Sequence, residues 1–149
     1  MLKHRKHLNT IILITTGFEE DVTAICLKGL RHAGLKVNLV GLTPHLITGT
    51  YGLTVRPDCS IGDVDPGRPQ LVVIPGSPES AETLLADPRF HRLFGATTAN
   101  GGQVIVMRAA ESAFLRTGLG DLLIDPRVVV QGEQETAECI DQLIHFAAG

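Results

Sequence analysis

The sequence predicts an α/β fold: a three-layer α/β/α sandwich around a mostly parallel, flavodoxin-like or Rossmann-like sheet. Three observations carry that expectation. Short runs of branched apolar residues alternate with segments whose apolar residues recur at helical spacing. The runs Ile11-Ile12-Leu13-Ile14 and Leu71-Val72-Val73-Ile74 are apolar at every position, as strands covered on both faces must be. The first strand, helix and strand also follow one another within about thirty residues, the length of one right-handed βαβ unit.

Taken in order, Thr10–Thr16 reads as the first buried strand, ended by Gly17. From Glu20 to Ala33 the residues Val22, Ile25, Cys26, Gly29, Leu30 and Ala33 form a helical stripe, and Gly34 stops it. Lys36–Gly41 resumes strand character. An irregular stretch with Pro44, Gly49, Gly52 and Pro57 follows, in which His45–Thr48 and Leu53–Arg56 can pair as a small hairpin or as edge strands. Gln70–Pro75 is the next buried strand. Ser77 and Pro78 suit the cap and first position of a helix over Glu79–Ala86, and a second helix covers Pro88–Ala99. Gln103–Met107 is a central strand, Ala109–Arg116 a helix, Val128–Val130 a late strand and Glu133–Ala147 a closing amphipathic helix.

The chain has 149 residues, 44% of them hydrophobic and 19% charged, which suits one packed domain over residues 10–149 behind a basic arm, residues 1–9. Thirteen Lys and Arg against 16 Asp and Glu give a formal charge of −3, so no nucleic-acid partner is expected. The absence of Trp and an aromatic content of 4% argue against base-stacking platforms. No apolar run is long enough to span a membrane, and Cys26, Cys59 and Cys139 lie far apart, which suits a reducing, cytoplasmic setting. His4 and His7 are embedded among Lys3, Arg5 and Lys6, a field that repels a divalent cation, so no metal site is assigned.

In open parallel sheets, ligands collect beyond the carboxyl ends of the strands. Three such ends are readable: Gly17-Phe18-Glu19-Glu20, Pro75-Gly76-Ser77-Pro78 and Arg108-Ala109-Ala110-Glu111. Each leads into a helix, whose positive end suits Glu19 and Glu20 and does not suit Arg108. Arg108 therefore needs either an anionic ligand or a carboxylate partner, and Glu19, Glu20 and Glu111 are the candidates, with the internal ion pair the favoured outcome.

The order strand-GFEE-helix, strand-PG-turn-helix and GQVIVMRAAESAFL as strand-elbow-helix resembles the DJ-1/PfpI (ThiJ) group of the class I glutamine amidotransferase-like superfamily. Val128-Val129-Val130-Gln131-Gly132 before a helix resembles that family's last strand and glycine turn, so the likeness covers most of residues 10–147. The resemblance implies a nucleophilic cysteine at a turn written roughly Ala-x-Cys-x-Gly, and Arg108 stands at the matching position, with Ala110 where the permissive glycine belongs. A guanidinium keeps its proton and offers no lone pair, so it cannot attack a carbonyl. The family's acid beside the cysteine matches Val22, and the second glycine of its PGG turn, part of an oxyanion hole, matches Ser77. The interval Asp121–Arg127 is shorter than in the family, where it supplies a histidine; none lies between His91 and His145.

These changes together point to a fold kept without its chemistry, because nucleophile, acid and histidine act as a unit. No catalytic residue and no cofactor is assigned. Gly17, Glu19, Glu20, Gly76, Ser77, Arg108, Ala109 and Glu111 form the expected degenerate site, open to a small anionic ligand, and a separate protein partner would supply a regulatory role. The resemblance also implies a homodimer. Two alternatives stay open: a divergent enzyme of the glyoxalase, deglycase or hydrolase kind using Cys59 or a crevice glutamate, and a stress sensor working through oxidation of the Cys59 thiol.

Overall fold

The computed structural model describes residues 9–148 of the chain. The expected arm and its His4 and His7 fall outside the described residues, except for Asn9, which already belongs to the first strand. In chain order the strands are β1 (Asn9–Leu13), β2 (Lys36–Gly41), β3 (Ile47–Thr48), β4 (Thr54–Val55), β5 (Cys59–Ser60), β6 (Leu71–Ile74), β7 (Gln103–Val106) and β8 (Val128–Val130). The helices are α1 (Glu20–His32), α2 (Pro78–Leu85), α3 (Pro88–Ala99), α4 (Arg108–Arg116) and α5 (Thr136–Ala148), with 3-10 turns at Ile61–Asp63 and Gly120–Ile124.

Six strands build one sheet in the order β5-β2-β1-β6-β7-β8, parallel at every neighbouring pair. The sheet grows outward in opposite directions from the β1/β6 pair, so the point where strand order reverses lies between the ends of those two strands. The period of two along β1 explains its unbroken apolar run. Ile11 and Leu13 enter the core layer shared with Leu84, Phe90 and Phe114, from α2, α3 and α4. Ile12 and Ile14 enter the opposite layer with Leu30 of α1 and Ile140 of α5. Burying each such side chain contributes about 2 kcal/mol, which no one-faced strand could collect at successive residues.

Element types follow the sequence closely and boundaries shift. β1 ends at Leu13, although the Ile14 amide still donates to the Val40 carbonyl at 2.9 Å; Thr15 and Thr16 then lead into the Gly17 turn, φ +86°. The irregular stretch does hold a hairpin, with Ile47 opposite Val55 and Thr48 opposite Thr54. β5 was not anticipated, because a two-residue Cys-Ser strand shows no periodicity. The closing helix begins at Thr136, three residues later than Glu133, since Gln131 to Glu135 is committed to a turn around Gly132 at φ +65°.

Candidate functional site

The three strand ends singled out in the sequence converge. The Glu19 amide donates to the Gly76 carbonyl at 2.9 Å, and the Ser77 hydroxyl donates to the Gly17 carbonyl at 2.7 Å. Gly76 has φ +89° and is followed by a cis peptide bond; a Cβ there would lie 2.7 Å from the Ala110 nitrogen and 2.8 Å from the Ala109 carbonyl carbon. The PG turn after β6 is therefore packed against the first turn of α4, and only glycine fits between them.

Behind this contact a set of buried hydroxyls ties β1 to α2. Ser77 caps α2 as expected, accepting from the Ser80 amide at 3.3 Å. The Thr15 hydroxyl donates to the Ser80 carbonyl at 2.8 Å and lies 2.7 Å from the Ser80 hydroxyl. Ser77 thus occupies the turn as a cap whose oxygen is engaged both as donor and as acceptor, which leaves it poorly placed as a nucleophile.

The elbow after β7 is held differently. Met107 caps α4 without a side-chain bond, and Arg108 is the first helical residue. The Arg108 amide donates to Gln131 Oε1 at 2.7 Å, and the Gln131 amide nitrogen donates in turn to the Gln134 carbonyl at 2.7 Å and to the Thr136 hydroxyl at 3.3 Å. Gln131 is buried, and it answers the helix end that the local sequence leaves uncapped. The Arg108 backbone N–H is consequently spent within the protein.

The expected ion pair of Arg108 is not formed. Its guanidinium donates through Nε to the Gly132 carbonyl at 2.8 Å and through Nη2 to the Gln134 carbonyl. Among the described residues it forms no ion pair, neither with Glu19 or Glu20 nor with Glu111 on its own helical turn. The reason is geometric: the turn after β8 presents outward carbonyls beside the elbow, and two of them satisfy the guanidinium without a buried countercharge.

Glu20 has a second task besides complementing the α1 dipole. Its Oε2 accepts from the amides of Tyr51 at 2.7 Å and Leu53 at 3.2 Å, fastening the tip of the β3–β4 hairpin over the end of β1. Glu19, half-buried, has its carboxyl pKa raised, first by burial and then by Asp21, Glu20 and Glu79. The crevice rim on this side is therefore acidic, which disfavours an anionic ligand. Val22, which the sequence likeness sets against the family's acid, is partly buried and packs with the α1–α5 core layer. Glu111 stands half-buried on the first turn of α4.

Cys59 does not join this group. On β5 it pairs with Val40 of β2, and four strand spacings of about 4.8 Å separate β5 from β7 across the sheet. Burial, with Asp63 and Asp58 nearby, raises its thiol pKa, so the nucleophilic thiolate is scarcer than in a free cysteine. Cys26 and Cys139 are buried between α1 and α5, and burial pushes the Cys26 thiol up to about 12. No group of three or more metal-ligating side chains gathers among the described residues, and none of their helices is long and apolar enough to cross a membrane. The residue that sequence reasoning passed over is Gln131. Its signal was available: a lone amide between three valines and a glycine, at a strand's carboxyl end.

Comparison with known proteins agrees with this fold. The family model described as DJ-1/PfpI matches residues 9–121. An oxidized DJ-1 of Toxoplasma gondii superposes with a TM-score of 0.82 at 17% identity, covering 93% of this chain and 90% of that one. Drosophila melanogaster DJ-1beta gives 0.80 at 18% identity over 96% and 91% of the two chains. A DJ-1 superfamily protein of Salmonella typhimurium gives 0.72 at 18% over 95% and 88%.

Proposed function

The chain belongs to the DJ-1/PfpI family, and from that premise we propose that it is a non-catalytic member, a pseudoenzyme acting as a regulatory or scaffold module. The observation that carries this reading is the state of the elbow. Arg108 holds the position matching the family's nucleophile, its side chain is spent on the Gly132 and Gln134 carbonyls, and its amide is spent on Gln131. A nucleophile, a proton acceptor and a free oxyanion donor are each lacking at that point. Ser77 and Val22 complete the pattern, at the positions matching the second turn glycine and the acid.

Of the roles the sequence left open, the internal pairing of Arg108 favours a scaffold over capture of a small anion. An anion would have to share the guanidinium with two carbonyls that already hold its Nε and Nη2 edge, and face the acidic rim at Glu19. The relocated-nucleophile and thiol-sensor readings both lean on Cys59, whose distance from the elbow and raised pKa count against them. We extend the reading to a homodimer in the cytoplasm, a setting compatible with three free cysteines.

The test is turnover of glyoxal and methylglyoxal by the purified protein, beside Arg108→Cys and Cys59→Ser. The expected result is background rate in all three, because a thiol restored at 108 still lacks an acid at Val22 and a free amide at the elbow. Turnover by the native chain that disappears in Cys59→Ser would overturn the reading.

A further inference from the structure

At the amino ends of the strands, opposite the candidate site, a cleft of about 180 Å³ opens on the α2–α3 face of the sheet. Its origin lies in strand alternation. Asn9, Ile11 and Leu13 of β1 share that face with Lys36, Asn38 and Val40 of β2; in register, Asn9 stands beside Lys36 and Ile11 beside Asn38. Leu13 and Val40 are sealed in the core layer together with Ile61. Between β5 and β6 the chain supplies only the 3-10 turn Ile61–Asp63 and a loop through Pro66 and Gly67, with no helix. The amino ends of β1 and β2 therefore carry Asn9, Lys36 and Asn38 where a strand covered on both faces would be apolar.

Lys36, Arg68, Asp63 and Asp65 all line this cleft, and none of them pairs with another. The Lys36 ammonium and the Arg68 guanidinium have no hydrogen-bond or ion-pair partner among the described residues. Each acid is held by one oxygen only. Asp63 Oδ2 accepts from the Ser60 amide at 3.2 Å and the Ser60 hydroxyl at 3.1 Å, and Asp65 Oδ1 accepts from the Gly67 amide at 3.3 Å. Those bonds orient both carboxylates and leave Asp63 Oδ1 and Asp65 Oδ2 unengaged among the described residues. Ile11, Val64 and the half-buried Cys59 give the cleft an apolar side.

We propose that this cleft binds a small zwitterion, a free α-amino acid with an aliphatic side chain. The charges select the class. Two cations beside two carboxylates repel a simple anion about as much as they attract it, and a simple cation likewise, whereas a molecule carrying both an ammonium and a carboxylate meets complementary groups for each. Lys36 and Arg68 take the carboxylate, Arg68 with two parallel N–H groups, and the free oxygens of Asp63 and Asp65 take the ammonium. The side chain rests on Ile11 and Val64. The volume selects the size: drug-sized ligands occupy pockets of roughly 300–1,000 Å³, so the smaller cleft takes one amino acid rather than a peptide or a nucleotide. The site lies at the other end of the strands from Arg108. It goes beyond the proposed function, to which it adds a ligand, and it stands whether or not the elbow is catalytic.

Titration of the full chain at low salt with L-leucine, L-valine and L-methionine tests this, read by calorimetry and by amide chemical shifts. The expected result is saturable binding of at least one of them with a Kd of about 1 mM or tighter, and shifts concentrated at residues 36–38 and 63–69. For leucine, the N-acetyl derivative, which lacks the ammonium, and the amide, which lacks the carboxylate, each bind at least about tenfold more weakly. Lys36→Gln combined with Arg68→Gln weakens binding by about tenfold or more and leaves the melting temperature unchanged, because neither side chain holds another part of the protein. Asp65→Asn keeps an oxygen for the Gly67 amide and weakens binding as well. No saturable binding of any of the three up to about 10 mM overturns the site. Derivatives that bind as well as leucine overturn the zwitterion, and shifts confined to the Arg108 elbow overturn the location. None of these outcomes bears on the turnover assay.

Discussion

Two strand-to-helix turns stand side by side at the carboxyl edge, and they are held by opposite means. The turn from β6 to α2 is secured by its own residues: Gly76 supplies the positive φ, Ser77 caps the helix, and Pro78 occupies its first position. The turn from β7 to α4 has no local cap and begins its helix with a cation, against the helix dipole. It is secured from twenty-three residues away by Gln131, and its cation by carbonyls further along the same segment. The first turn keeps what the fold needs. At the second, which the sequence likeness sets against the family's nucleophile turn, long-range hydrogen bonds engage the amide and the side chain of Arg108. The second turn is a structural joint, fastened by a segment remote in sequence.

The largest effect expected from breaking this arrangement is at Gly76, where the two turns touch. Gly76→Ala forces a Cβ to within 2.7 Å of the Ala110 backbone, at a φ of +89° that side chains avoid. Neither atom belongs to a flexible side chain, so the backbone itself must move. Urea unfolding should show a loss of about 3 kcal/mol. A loss below about 1 kcal/mol would mean that the two turns are not wedged together.

A smaller loss is expected at the second turn. Gln131→Ala orphans the Arg108 amide and removes a donor from the Gln134 carbonyl, inside a site where Gln131 is only 4% exposed. An unsatisfied buried amide costs about 1–3 kcal/mol, and the denaturation midpoint should fall accordingly. The comparison sharpens through hydrogen exchange: in this variant the first turn of α4 should exchange faster while the first turn of α2 keeps its protection. Equal loss at both helices would show that the turns are secured together.

What the sequence disclosed follows the same division. Gly76, Ser77 and Pro78 announce their turn within four residues, and the helix of Pro88–Ala99, capped by Asp87, is equally self-contained. β1 and β6 were readable because burial on both faces leaves no polar position. The convergence of the three strand ends was also legible, from the rule that ligands gather where strand order reverses. Arg108 was noticed, and its need for a partner was argued from its charge, yet the partner was wrong. Charge arguments select carboxylates, whereas a guanidinium is satisfied equally by carbonyls that a distant turn happens to present. Gln131 and the two-residue β5 are of the same kind: each is defined by a neighbour remote in sequence, Arg108 in one case and Val40 in the other.

The smallest effect concerns the third strand end, where Glu19 faces both turns through its bond to Gly76. Burial and the acids Asp21, Glu20 and Glu79 raise its pKa above the ordinary value of 4.5. The folded protein then holds this proton more tightly than the unfolded chain does. Glu19 consequently subtracts from stability above its raised pKa, and the penalty fades as pH falls through that value toward 4.5. Glu19→Gln should raise the melting temperature near pH 7 and give no gain below 4.5, where both states of the native residue are already protonated. The gain is modest, because Glu19 is partly exposed and solvent screens its neighbours. The informative quantity is the difference between variant and native curves. A difference that does not change with pH would locate the effect in packing at the turn, and would remove the acidic rim as a reason for anions to avoid it.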